Sequence, residues 1–298
     1  MRYTAEESRR ECYGTLGIEA KKAGERNYVN EKGYFPGILQ AVCLLVFLFF
    51  LLVIAGGIID LLGFFREEAV IVSISNTVSF ALVLLWGSKR AGASFREIFP
   101  LRSFPVTSLI PMGLVIIGIS ILGSELDNVF RVLLPPPDWL THIFLRLAGF
   151  ETSLFGSVLA LVVVAPMTEE LLFRGLIMRG FLSRYAVRKA IFASAILFGS
   201  FHLNPWQFVH TTIIGILLAW WFVRTESLVP CILGHALNNA LVFIYRDIFG
   251  LDITGYTTPG ANGVQFQPFW LDLLGGLLLL LGLSMLIRVF GKAGQSTL

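Results

Sequence analysis

Long apolar runs alternate with short polar breaks along this chain, and the length of the runs decides how it is read. A helix crossing the hydrocarbon core of a bilayer needs about 20 predominantly apolar residues. Eight stretches approach or exceed that. They cover 36–64, 69–87, 106–123, a run from 153 that continues as helix past a charged stretch, 190–203, 207–223, 228–245 and 269–290. The fifth is short unless its basic start is counted. Ahead of them residues 1–32 are polar, with seven Lys/Arg and six Asp/Glu, and have too few apolar positions to form a core. The pattern predicts an all-α, polytopic integral membrane protein of about eight transmembrane helices. It divides into a polar tail, 1–35, and a membrane domain, 36–298, with a core of interest at about 153–245.

Charge gives the runs an orientation. With eight spans, both termini and the loops after the second, fourth and sixth spans share a side. That side holds 19 of the 23 Lys/Arg, counting Arg174. Positive loops stay in the cytoplasm, so both termini are expected there, with the plasma membrane as the location. Ser94-Phe95-Arg96-Glu97-Ile98-Phe99 reads as a short amphipathic segment on that face. The connection between Glu125 and Thr152, which contains Pro135-Pro136-Pro137-Asp138-Trp139, reads as lying at the outer interface.

Composition agrees with this reading. Hydrophobic residues make up 55% of the chain and charged ones 14%, against roughly 25% charged in a soluble domain. The mean hydropathy is +0.76. Cys12, Cys43 and Cys231 are far apart and form neither a metal knuckle nor a disulfide frame. There is no phosphate-binding loop motif, and no nucleic-acid partner is expected.

The chemistry lies in polar residues placed inside the apolar runs, where charge costs at least a few kcal/mol. Glu169, Glu170 and Arg174 lie between Leu159-Ala160-Leu161-Val162-Val163-Val164-Ala165 and Leu176-Ile177-Met178. Adjacent helical residues point about 100° apart, so the two glutamates face different ways. Glu170 and Arg174, at i and i+4, can pair, which leaves Glu169 for another task. His202 ends the fifth run behind Phe198, Gly199 and Ser200. His235 and Asn239 share a face of the seventh. Each feature alone has a bland counterpart: a buried ion cluster, a satisfied histidine, a polar helix contact. His142 and His210 are read as interface or packing residues.

Depth brings the parts together. At 1.5 Å per residue from the basic edges, Glu169 lies about 15 Å in, His235 about 16 Å, His202 about 20 Å and Asn239 about 22 Å. A carboxylate, two imidazoles and an amide at similar depth suit hydrolysis of an acyl bond. A desolvated glutamate serves as general base, and His or Asn donors stabilise an oxyanion.

At three motifs the chain resembles the CPBP family of intramembrane proteases, the relatives of the Rce1-type CAAX prenyl endopeptidase. They are Glu169-Glu170-x-x-x-Arg174, Phe198-x-x-x-His202 and His235-x-x-x-Asn239, in the family's order and each on its own apolar run. The resemblance covers about 153–245. It implies helices enclosing an intramembrane active-site cavity, in which Glu169 activates water and His202 holds it. His235 and Asn239 would form the oxyanion hole, while Glu170, Arg174 and Phe198 bind substrate or shape the site. It implies a peptide or prenylated protein as substrate, cut near the cytoplasmic membrane face, with the bilayer as the other partner. No cofactor is required on this reading. The alternative is Zn2+ on Glu169, His202 and His235, with a fourth position open. Two other function classes compete: a non-catalytic membrane scaffold or immunity protein, and a proton-coupled transporter using the same residues as a relay.

Overall fold

A computed structural model describes residues 34–63, 65, 67–137, 153–257 and 264–295, the last four by backbone only. Most of the polar tail, and the part of the outer connection with Trp139 and His142, lie outside the described residues. Among the described residues every regular element is a helix. These are α1 (Ile38–Leu62), α2 (Glu68–Ala91), the single turn α3 (Phe95–Ile98), α4 (Leu109–Leu133), α5 (Leu154–Leu182), α6 (Val187–Phe201), α7 (Pro205–Thr225), α8 (Val229–Phe243) and α9 (Phe269–Gln295).

Six of them are long and apolar enough to cross a membrane: α1, α2, α4 with its leading turn, α5, α7 and α9. The protein is therefore multi-pass. The other two expected spans, α6 and α8, are not among the six; α6 is 15 residues, about 22 Å of helix against a core of about 30 Å, and the α-helical part of α8 is 15 residues too. What ends α6 is local. Leu203 takes a left-handed φ of 49°, and the Asn204 side chain accepts from the N–H groups of Trp206 and Gln207, so α7 starts at once with Pro205 in its first turn. α8 continues beyond Phe243 as a wider turn over Ile244–Ile248.

The third span is longer than the apolar run predicts. α4 runs to Leu133 because the polar residues of its last turns find partners. Arg131 Nε bonds Asp127 Oδ2 at 2.5 Å, and Asn128 Nδ2 donates to Glu125 Oε2 at 3.0 Å and to Gly255 O at 2.7 Å. The amphipathic segment is a helical turn as expected. The Ser94 hydroxyl accepts from Glu97 N–H while the Glu97 carboxylate accepts from Ser94 N–H, a capping box.

Packing follows small residues, as expected where lipid supplies no hydrophobic drive between helices. α4 meets α9 at Gly118, where an added Cβ would stand 2.6 Å from Gly275 O and Leu279 N. α6 meets α7 where Gly215 lies against Ala195, a Cβ there falling 3.0 Å from its Cα. α1 buries only Ala41, Leu44, Leu45 and Leu48, and its other faces are available to lipid. α5 is the opposite. Leu172 to Met178 are all buried, with α2, α6, α7 and α8 around the helix.

Candidate active site

α5 is not a uniform α-helix. The hydrogen-bond ladder widens to i→i+5 over Leu159–Val164 and again over Leu171–Ile177, so that Ala165 N–H reaches Ala160 O and Met178 N–H reaches Phe173 O. Such π segments occur mostly as single turns and often at functional sites. Here they flank the short α-helical stretch Ala165–Glu170. The two glutamates sit at its end.

Glu170 and Arg174 are fully buried and joined, Arg174 Nη1 donating to Glu170 Oε1 at 2.8 Å. This pair was expected from the spacing. Its other contacts were not. Arg174 Nη2 donates to Gly215 O of α7 at 3.1 Å, and the guanidinium lies 4.5 Å from the centre of the Phe198 ring, within range for a cation–π contact. Isolated, either charge would be prohibitive at this depth. Together, with these partners, they form one neutral unit that ties α5 to α6 and α7.

His235, on α8, is 5% exposed in its side chain and faces both carboxylates. Nδ1 lies 2.9 Å from Glu170 Oε1 and Nε2 lies 4.0 Å from Glu169 Oε2. A carboxylate oxygen accepts, so the Nδ1 proton is assigned to the Glu170 bond, and Nε2 is left for the Glu169 side. Sequence spacing had aimed His235 at Glu169; its nearest acidic partner is Glu170. Glu169 itself is 12% exposed in its side chain, and its Oε2 is a buried atom with no hydrogen-bond partner.

Phe198 is the wall of the site. Its ring centre lies 5.1 Å from that of His202 and 5.5 Å from that of His235, both edge-to-face. His202 Nδ1 is 2.9 Å from Phe198 O, one turn back on its own helix. That carbonyl accepts, which leaves Nε2 of His202 for another partner. His202 thus joins the group through the Phe198 ring. Asn239 is held at both ends of its amide. Nδ2 donates to Leu161 O of α5 at 2.8 Å, and Oδ1 accepts from Asn238 Nδ2 at 3.1 Å. Motif reading missed Asn238, Gly215 and the two π segments. Pro166 was visible in the sequence, but its effect on the ladder was not.

A zinc centre would need three donors to converge. Among the described residues no three His, Cys, Asp or Glu side chains are grouped so as to hold a metal ion. In the Glu169, His202 and His235 set, Nδ1 of each histidine is bonded, to Phe198 O and to Glu170, which leaves the Nε2 atoms as the open ring nitrogens. A cavity of about 170 Å³ opens elsewhere, lined by Tyr34, Glu97, Arg102, Leu176 and Arg179 among others. It contains none of the candidate catalytic side chains.

Residues 151–241 match the family model described as type II CAAX prenyl endopeptidase Rce1-like. The match begins just before α5 and ends in α8, so it takes in every residue of the three motifs. No curated protein and no solved structure matches the chain.

Proposed function

We propose, from the Rce1-like domain of residues 151–241, that this multi-pass membrane protein is an intramembrane endopeptidase that uses a glutamate-activated water. The observation that carries the reading is the unlike treatment of two adjacent carboxylates. Glu170 is neutralised by Arg174 and bonded to His235, whereas Glu169 keeps a buried, unpartnered oxygen 4.0 Å from His235 Nε2. Two titratable groups set in environments this different divide acid–base work between them.

In the proposed reaction Glu169 takes a proton from water, and the hydroxide attacks the scissile carbonyl carbon. His202 holds the water. The carbonyl oxygen becomes an oxyanion that accepts from His235 Nε2–H and from the second N–H of the Asn239 amide. With Nδ1–H given to Glu170, His235 must carry both ring protons to donate at Nε2. The site then balances its charge, with two carboxylates against Arg174 and imidazolium. Collapse of the tetrahedral intermediate breaks the C–N bond, and Glu169 returns its proton to the departing amine. Arg174 and Glu170 hold His235, and Phe198 holds the spacing of the two imidazoles.

The substrate class that goes with the reading is a peptide at the cytoplasmic membrane face, of the kind presented by a prenylated C-terminal CAAX sequence. The reading takes both termini as cytoplasmic, in keeping with the basic loops, and the plasma membrane as the location. The test is cleavage of a quenched fluorescent peptide, with and without a prenyl group, by purified protein in lipid. Glu169→Gln should lower kcat by about 10²–10⁴ with the melting temperature unchanged. Full activity in that variant sinks the catalytic assignment. Undiminished biological function in the same variant favours the scaffold, and proton-coupled uptake without cleavage favours the transporter.

A further inference from the structure

Asn239 matters to the proposed chemistry only if its amide points the right way, and the bond that sets it is to a backbone carbonyl inside a helix. Carbonyls in the middle of a helix are normally taken by an N–H four residues on, so Leu161 O needs an explanation for being available. The ladder supplies one. In this part of α5 the register is i→i+5, with Ala165 N–H on Ala160 O. The next donor in that register, for Leu161 O, is residue 166. It is a proline, which has no N–H. The proline ring also crowds the carbonyl four residues back, which opposes tightening of this turn to the ordinary α register. Leu161 O is therefore left without a helical donor, and Asn239 Nδ2 fills the place at 2.8 Å. Further along, where the ladder is α again, the Thr168 hydroxyl donates back to Val164 O at 2.8 Å and lies 3.2 Å from Ala165 O.

We infer that Pro166 is a positioning residue for the Asn239 amide: by withholding a backbone N–H it directs the Leu161 carbonyl to Asn239 Nδ2 and so presents the amide's other N–H to the substrate oxyanion. The inference rests on the oxyanion role proposed for Asn239. One hydrogen of Nδ2 is anchored on Leu161 O, Oδ1 is anchored by Asn238 Nδ2, and one hydrogen remains. Because the amide is planar, fixing both ends fixes the direction of the third group. The proline is buried, so it acts here through the chain and Asn239.

Pro166→Ala tests this. The variant gives Leu161 O a competing donor within its own helix and improves the helix locally. It should melt at the same or a higher temperature, yet show kcat lower by about 10-fold, a fraction of the loss from removing an oxyanion donor outright, with KM within about 2-fold. Pro166→Ser supplies the same N–H and should behave alike, which covers the case where the alanine variant does not fold. The deciding measurement is the cycle with Asn239→Ala. If Pro166 works through Asn239, the proline substitution should cost nothing further in that background. Full kcat in Pro166→Ala or Pro166→Ser, or an equal loss with and without Asn239, overturns the inference while leaving the oxyanion reading intact. Full kcat in Asn239→Ala alone overturns that reading, and the inference with it.

Discussion

His235 Nδ1 lies 2.9 Å from Glu170 Oε1, the same carboxylate oxygen that accepts from Arg174 Nη1 at 2.8 Å. Oε1 therefore carries two donors, whereas Oε2 of Glu170 has no partner. Removing the carboxylate strips the partner from a fully buried guanidinium and releases the imidazole. Glu170→Ala should destabilise the protein by about 3–5 kcal/mol, the usual cost of orphaning one member of a buried pair, and abolish cleavage. Glu170→Gln keeps an acceptor for His235 Nδ1 but loses the charge opposite Arg174, so it should fold with a smaller loss of stability and low activity. Thermal unfolding in detergent beside peptide cleavage checks both. Wild-type stability in Glu170→Ala contradicts the argument.

Arg174 makes three different contacts: an ion pair with Glu170, a bond to Gly215 O and a face-on contact with Phe198. Lysine has one compact charge and no planar fork, so it can serve one of these but not all. Arg174→Lys should leave the helices assembled, lower the melting temperature and cut kcat more than it raises KM, because the Phe198 wall between His202 and His235 loses its backing. Arg174→Ala should be worse on both counts. An Arg174→Lys variant with the kcat and melting temperature of the wild type removes the need for a fork at this position.

What could be read from the sequence divides along one physical line. Glu170 and Arg174 were paired correctly because i,i+4 neighbours meet in any helix close to α. The neighbour of His235 was not legible, because pairing Glu170 with Arg174 left Glu169 as the free acid, whereas one oxygen of Glu170 accepts from both Arg174 and His235. Composition revealed the apolar runs and, to within a few residues, the ends of α6 and α8, but not that α4 would continue to Leu133. That end depends on polar partners as far away as Gly255. The depth of Asn239 could be counted out residue by residue. Its orientation could not, because that depends on Leu161 and Asn238.

The α4–α9 contact lies outside the matched domain and makes a separate prediction. Gly118 leaves no room for a side chain, since a Cβ there would lie 2.6 Å from the Gly275 carbonyl and the Leu279 amide. Both obstacles are backbone, so relief requires the helices to part. Gly118→Val should cost about 1–3 kcal/mol from overpacking and show as a lower melting temperature. KM should change little, because no motif residue lies on either helix. A melting temperature equal to the wild type would mean that α4 and α9 do not approach this closely.

The turn α3 links surface pH to the neighbourhood of the site. Its Ile98 and the adjoining Phe99 are buried, and Phe99 packs so closely on Gly175 that a Cβ there would lie 2.7 Å from the ring. Gly175 adjoins Arg174. What holds the turn is the reciprocal cap between Ser94 and Glu97. Bonds from the Ser94 side chain and then its backbone hold the Glu97 carboxyl below its ordinary value of 4.5. A group whose pKa is lowered by folding contributes stability above the unfolded pKa and loses it as pH falls through the folded one. The cap should therefore be fully formed at neutral pH and weaken only in acid, below about 4.5. Hydrogen exchange over residues 94–99, corrected for the intrinsic pH dependence, should show constant protection from about pH 7 to 5 and a fall below about 4.5 in the wild type. Ser94→Ala should show weaker protection at neutral pH and a shallower fall in acid. Superimposable profiles for the two proteins would show that the Ser94–Glu97 bonds do not hold the turn.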